Sequence, residues 1–207
     1  MASTASVTRG ATKRQAILDA AAELFADEGY ERASIDAIAS RAGVSKPTVY
    51  SHFGNKERLF RESLAESSRQ INEQSYAAAI ALDVGADWEQ SLREVAVQLV
   101  ECQRSPCAAS LQRQLYAEIN RDPEVFSIVR SRSADPMIEA LAGRLAMLAN
   151  AGHLTIDDPL RAAKQFFALI GAEMAELTVL GTGRGDDRSV TAAVRAGVDT
   201  FLRAYQA

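Results

Sequence analysis

An all-helical chain is what this sequence predicts, and three observations predict it. Alanine and leucine recur at helical spacing along almost the whole length. Alternating stretches of β-branched residues, the mark of half-buried strands, are missing. Apolar residues fill 47% of the 207 positions, enough to bury the core of one large domain, or of a small domain with a larger one.

The first ten residues, rich in Ser and Thr, read as a disordered arm (1–10). Thr12 with Gln15 forms a capping-box start, and Ile17, Ala21, Leu24 and Phe25 then make one apolar stripe that stops at Gly29. Ser34 caps a short second helix, "SIDAIASRAG", in which Ile35, Ile38 and Ala39 face inward and Gly43 supplies the turn. Ser45 caps a third helix that runs to about Phe53. Pro47 falls within its first turn, where a missing N–H has no helical partner anyway. Gly54 breaks the chain, and Asn55 caps a fourth helix that continues towards Ala81.

Beyond that point the divisions are softer: about Ala86 to Arg104, Ala108 to Asn120, Pro123 to Ala151 with a kink near Asp135-Pro136, Asp158 to Leu180, and Val190 to Ala204. The expected total is about nine helices. "GTGRGDD", from Gly181 to Asp187, follows a helix with no strand before it, so it reads as a flexible connection and not as a phosphate cradle.

Composition excludes several functions. A net charge of −4 and a pI near 5.3 argue against a chain that coats nucleic acid or anionic membrane through bulk charge, so any hold on DNA must come from a local patch. No apolar run is long enough to span a membrane, and "MASTASVTRGATKRQ" lacks the apolar middle of a signal peptide, so the chain reads as cytoplasmic with no membrane partner. Cys102 and Cys107 match no metal or redox spacing and read as reduced packing residues. His52 and His153 are the only histidines, and no G-x-S-x-G, metal-ligand cluster or P-loop occurs. No catalytic residue, metal or cofactor is expected.

Two short helices joined by a tight turn at Gly43 form a helix-turn-helix pattern, whose second helix enters the major groove; a plain αα-hairpin would show the same periodicity. The chemistry of the outer face separates the two. At 3.6 residues per turn Val49 and Phe53 face the core, leaving Pro47, Thr48, Tyr50 and Ser51 outward. From Ser40 to Phe60 four basic residues (Arg41, Lys46, Lys56, Arg58) stand against Glu57 alone, a local charge of +3 in an acidic protein. Lys46, Tyr50, Ser51 and the capped start at Asn55 supply the usual phosphate donors, with Lys56 beside them; His52 could add another. Ser34 and Ser45, the caps, belong to the same DNA-binding surface, which the reading confines to residues 11–56.

The stretch "SIDAIASRAGVSKPTVYSHFGNKERLF" resembles the DNA-binding domain of the TetR family of transcriptional regulators, over about Thr12 to Leu64. The resemblance implies phosphate contacts at Tyr50, His52 and Lys56, and places Lys46, Pro47, Thr48 and Ser51 in or beside the groove. Many members carry glycine or alanine where this chain has Pro47, which leaves only apolar touching there. "LQRQLYAEINRDPEVFSIV", "GHLTIDDPLRAAKQFFALI" and "VDTFLRAY" are similar to the C-terminal domain of AefR-type members.

Residues 57–207 are expected to bind a ligand and to dimerise. Apolar faces on the last helices suggest a twofold seam at Phe167, Ile170, Leu177, Val194, Val198, Phe201 and Leu202, and the resemblance implies such a homodimer. Half-polar side chains interrupting apolar faces mark a pocket at Trp88, Gln98, Cys102, Tyr116, Phe126, Phe166 and Met174, suited to a small hydrophobic or aromatic effector. The expected function is a repressor of TetR type that binds a palindromic double-stranded operator and is released by that effector. The alternative is a ligand-independent regulator whose C-terminal half only dimerises or recruits a partner.

Overall fold

The computed structural model describes residues 3–122 and 135–207, with side chains from Thr12 in the first stretch and from Pro136 in the second. Among these residues the regular structure is helical, save for one antiparallel bridge between Leu154 and Gln206. The helices are α1 (Ser3–Arg32), α2 (Ile35–Arg41), α3 (Lys46–Phe53), α4 (Lys56–Ile80), α5 (Trp88–Gln103), α6 (Pro106–Glu118), α7 (Asp135–Asn150), α8 (Pro159–Ile170), α9 (Met174–Leu177) and α10 (Asp187–Tyr205). None of the described helices is long and apolar enough to cross a membrane.

The chain divides into two compact units, Met1–Ser68 with Arg113–Val129, and Arg69–Gln112 with Arg130–Ala207. In the first unit the stripe Ile17, Leu18, Ala21, Leu24 and Phe25 on α1 is buried together with Ile35, Ile38 and Ala39 of α2, Val49 and Phe53 of α3, and Leu59, Phe60 and Leu64 of α4. Each large apolar side chain so buried contributes about 1.5–3 kcal/mol. Helices of seven and eight residues, too short to persist alone, are held by this shared core. Helical backbone in α1 reaches back to Ser3, through the stretch expected as an arm, but no side chain of residues 1–11 is described. Gly29, at φ 81 and ψ 164, interrupts α1 where the apolar stripe was expected to stop.

In the second unit Trp88, Leu92, Val95 and Leu99 of α5, Leu141, Leu145 and Leu148 of α7, Phe166 and Ile170 of α8 and Val194, Val198, Phe201 and Leu202 of α10 form one core. Phe166 meets Phe201 edge to face, with ring centroids 5.0 Å apart. The expected helix from 158 to 180 breaks after Ile170. Gly171 caps α8 by donating its N–H to Phe167 O at 3.2 Å, and α9 is a single short turn. The expected kink at Asp135-Pro136 falls at the start of α7, and what precedes it, including Phe126, lies outside the described residues.

The connection Gly181–Asp187, expected to be flexible, is tied down by a side chain that periodicity does not single out. Arg104 donates to Arg184 O at 2.7 Å and pairs with Asp187 and Glu101, each at 2.5 Å, while its own side chain is only 2% exposed. Asp186 then caps α10 by accepting from Ser189 N at 2.8 Å.

Candidate nucleic-acid interface

The corner between α2 and α3 is built from local hydrogen bonds. Ser34 Oγ accepts from Ala37 N at 3.1 Å and starts α2. At its other end Gly43 N–H reaches Ser40 O at 3.2 Å and Val44 N–H reaches Ala39 O at 3.0 Å, the paired closure of a Schellman turn. That closure needs a left-handed residue, which Gly43 supplies at φ 65. Ser45 Oγ then accepts from Thr48 N at 3.4 Å and lies 2.8 Å from Thr48 Oγ1. Pro47 stands in the first turn of α3, as expected, so it opens the helix without removing a helical bond.

α3 has two faces. Val49 and Phe53 are buried, whereas Tyr50 is 43% exposed and Lys46, Pro47 and Ser51 are exposed too. Ser51 Oγ donates back to Thr48 O at 2.8 Å, and His52 is half-buried beside the Phe53 ring. After Gly54, Asn55 Oδ1 accepts from Arg58 N at 2.7 Å and caps α4. The structure thus brings Lys46, Pro47, Tyr50 and Ser51 to one exposed surface of α3, with the two capped starts close by in the chain.

Electrostatically this surface differs from the simple sum of charges along the sequence. Lys46 Nζ is bonded to Asp36 of α2 at 2.9 Å, Arg41 to Glu23 of α1 at 3.0 Å and Arg58 to Glu62 of α4 at 2.8 Å. Lys56 Nζ donates to Glu31 O at 3.1 Å and lies 4.7 Å from the centroid of the Tyr30 ring. The hydrogen bond to Asp36 holds the Lys46 ammonium above its ordinary pKa, so it stays charged throughout the physiological range. A local sum of +3 overlooks acids that folding delivers from other helices. Asp36, Glu23 and Tyr30 are the partners sequence reading missed; an acid in the first turn of α2 was visible, but its pairing across the corner was not.

The remaining expected residues are more scattered. Trp88 and Phe166 lie in the core of the second unit with Met174, and Trp88 stacks on His153 with centroids 5.3 Å apart. Gln98 lines a surface cavity of about 390 Å³ between α5 and α10, alongside Val97, Arg93, Val194 and Arg195. Cys102 is half-buried and Tyr116 exposed. Of the residues expected at the dimer seam, Ile170, Val194, Val198, Phe201 and Leu202 are buried inside the protomer, and Phe167 and Leu177 alone are half-buried. Their burial in one chain leaves the first five little surface for another.

Comparison with known proteins agrees with the corner's architecture. The family described as "Bacterial regulatory proteins, tetR family" matches residues 17–63, and "AefR-like transcriptional repressor, C-terminal domain" matches residues 90–207. The HTH-type transcriptional repressor AcnR of Corynebacterium efficiens is 30% identical over 147 residues, 71% of each chain. The HTH-type transcriptional activator FasR of Mycolicibacterium smegmatis is 42% identical over 81 residues, which are 39% of this chain and 36% of that protein. Among solved structures, a TetR-family transcriptional regulator of Mesorhizobium loti superposes with a TM-score of 0.87 at 28% identity, covering 96% of this chain and 99% of that one. The flavonoid-responsive regulator FrrA gives a TM-score of 0.72 at 29% identity, covering 94% and 97%. With a helix-turn-helix in its first unit and an AefR-like C-terminal domain, the chain belongs to the TetR family, whose members are DNA-binding transcriptional regulators and not enzymes.

Proposed function

We propose that this protein is a cytoplasmic repressor that binds a palindromic operator as a homodimer and lets go when a small hydrophobic or aromatic molecule binds residues 57–207. The observation that carries the DNA reading is the polar face of α3, exposed at Lys46, Pro47, Tyr50 and Ser51 over a buried Val49 and Phe53. In this reading residues 11–56 form the reader. Lys46, Pro47, Thr48 and Ser51 meet the groove, and Tyr50, His52, Lys56 and the caps Ser34 and Ser45 hold phosphates. Pro47 offers a base only an apolar touch, such as a thymine methyl group.

Repression is supported by the likeness to AcnR, a repressor, and an aromatic effector by the likeness to FrrA, a flavonoid-responsive regulator. Homodimerisation follows from the contact demand of a short reader: one helix-turn-helix touches few bases, and a twofold pair reads two half-sites. Because five of the expected seam residues are buried in the protomer, the seam falls to outward positions of α8, α9 and α10, with Phe167 of α8 and Leu177 of α9 the expected residues that keep surface. The effector favours a conformation with the readers wrongly spaced, and by linkage the operator weakens effector binding by the same factor.

Selection of bound duplexes from a random pool, followed by gel shifts, tests the reader. The wild type should enrich a palindrome. Tyr50→Phe combined with Lys56→Ala should bind it more weakly, with a salt dependence flatter by about 0.9 of slope because one positive charge no longer neutralises a phosphate, the lost Tyr50 hydroxyl costing affinity without changing the slope. Failure to enrich a palindrome, or an unchanged affinity in the double variant at physiological salt, refutes the assignment.

A further inference from the structure

Lys56, the proposed phosphate contact at the start of α4, does not hang free. Its ammonium has three donors; one is used on Glu31 O at 3.1 Å, and the charge faces the Tyr30 ring at 4.7 Å. Tyr30 and Glu31 reach this place because Gly29, at φ 81, kinks α1 just before them in a conformation other residues rarely adopt. Tyr30 is itself fixed, since its ring packs on Phe60 with centroids 5.0 Å apart and on Phe25 at 6.0 Å.

The same ring carries a second cation. Arg121, just past the end of α6, places its guanidinium carbon 3.8 Å from the Tyr30 centroid, while its Nε holds Glu118 at 2.5 Å. The next residue, Asp122, is buried and accepts from Arg61 Nε at 2.7 Å, and Arg61 in turn pairs at 3.0 Å with Glu57, the neighbour of Lys56. Two chains of contacts, Arg121–Tyr30–Lys56 and Asp122–Arg61–Glu57, therefore run from the end of α6 to the first turn of α4. Nothing in the DNA reading requires residues 118–122 to be there.

We infer that Tyr30 is a positioning residue for Lys56, and that Arg121 acts on the phosphate contact through it. The inference rests on the reading of Lys56 as a phosphate contact. A free lysine loses rotamer freedom when it meets a phosphate; one seated on a fixed ring has lost much of it already and keeps donors for the anion. Arg121 holds the ring, and loosening it gives that freedom back to Lys56.

The test uses the full chain and a fluorescein-labelled random-sequence DNA duplex, titrated across a salt series. Lys56→Ala should weaken binding and flatten the slope by about 0.9 for each phosphate that the lysine no longer neutralises. Tyr30→Leu and Arg121→Ala should each weaken binding about two- to five-fold, the range of an exposed cation–π contact. Both should be silent in a Lys56→Ala background. Arg121 has a 42% exposed side chain, so its removal leaves the fold intact if Tyr30→Leu does not. An Arg121→Ala protein that binds as wild type, with Lys56→Ala impaired, overturns the inference and spares the phosphate reading. A further weakening from Arg121→Ala in the Lys56→Ala background overturns it as well, since Arg121 would then touch DNA itself. An unimpaired Lys56→Ala overturns both.

Discussion

The corner of α2 and α3 and the crossing of α8 and α10 solve the same problem, holding two helices at a fixed angle, with opposite means. The corner relies on side-chain caps, one left-handed glycine and ion pairs whose members are largely in water: Lys46 with Asp36, Arg41 with Glu23. The crossing relies on close backbone approach, with Gly197 of α10 against Leu169 of α8, while the turn that leads into α10 is held by the buried Arg104 side chain. Exposed pairs add little to stability because water competes for each partner, while buried ones are costly to break from one side. The consequence is functional. If the corner meets DNA as proposed, its partners must give way to phosphates, and contacts that water already contests do so at the least cost; a scaffold needs no such exchange.

The largest effect should come from the crossing. A Cβ added at Gly197 would lie 2.5 Å from Leu169 O and 2.7 Å from Leu169 C, both backbone atoms that no rotamer change can move. At a permissive helix position Gly→Ala gains about 1 kcal/mol. Here the sign reverses, and Gly197→Ala should lower stability by about 2–3 kcal/mol, or about 4–12 °C in Tm for a chain of this size. Urea unfolding that shows no decrease would mean that α10 slides freely on α8, and the contrast with the corner would fail.

Next comes Arg104→Ala, which should cost about 1–2 kcal/mol by removing the hydrogen bonds that its buried guanidinium makes to Arg184 O and Asp187. It also carries a pH signature. The hydrogen bond from Arg104 holds the Asp187 carboxyl below its ordinary pKa. A lowered folded-state pKa gives stability that is present above the usual carboxylate range and is lost as pH falls through the folded value. Melts of the wild type towards acid should therefore lose this contribution, and Arg104→Ala should lose less over the same window. Parallel acid limbs in the two proteins would show that Asp187 draws nothing from Arg104.

Legibility in the sequence followed the same division. Corner elements announce themselves locally: Ser34, Ser45 and Asn55 as caps, Gly43 and Gly54 as turns, Val49 and Phe53 as the inward pair. Each is decided by neighbours three or four positions away, which periodicity can see. Long-range placement is invisible to it. Arg104 lies 80 positions before the carbonyl it holds, so the connection at Gly181–Asp187 looked loose. Apolar faces on α8 and α10 were legible as faces, but Ile170, Val194 and Phe201 meet their own protomer's core, and a wheel cannot say which surface a stripe will meet. The +3 charge failed for the same reason, since its counterions come from α1, α2 and a later turn of α4.

The smallest change in stability, and the sharpest test of the corner, is Asp36→Ala. Asp36 ends 2.9 Å from Lys46 on an exposed surface, so its removal should leave the melting temperature nearly unchanged. If Lys46 faces DNA, though, Asp36 competes with phosphate for the ammonium and adds its own repulsion to the backbone. Removing it should tighten binding about two- to ten-fold at low salt, the scale of one charge contact in a watery setting. The gain should fade as salt shortens the reach of the charge. Lys46→Ala should weaken binding and, combined with Asp36→Ala, cancel most of the gain, because the acid acts mainly through its partner. Affinity that ignores Asp36 would place Lys46 away from the phosphates, and the corner's exposed pairs would then be ordinary surface contacts with no exchange to perform.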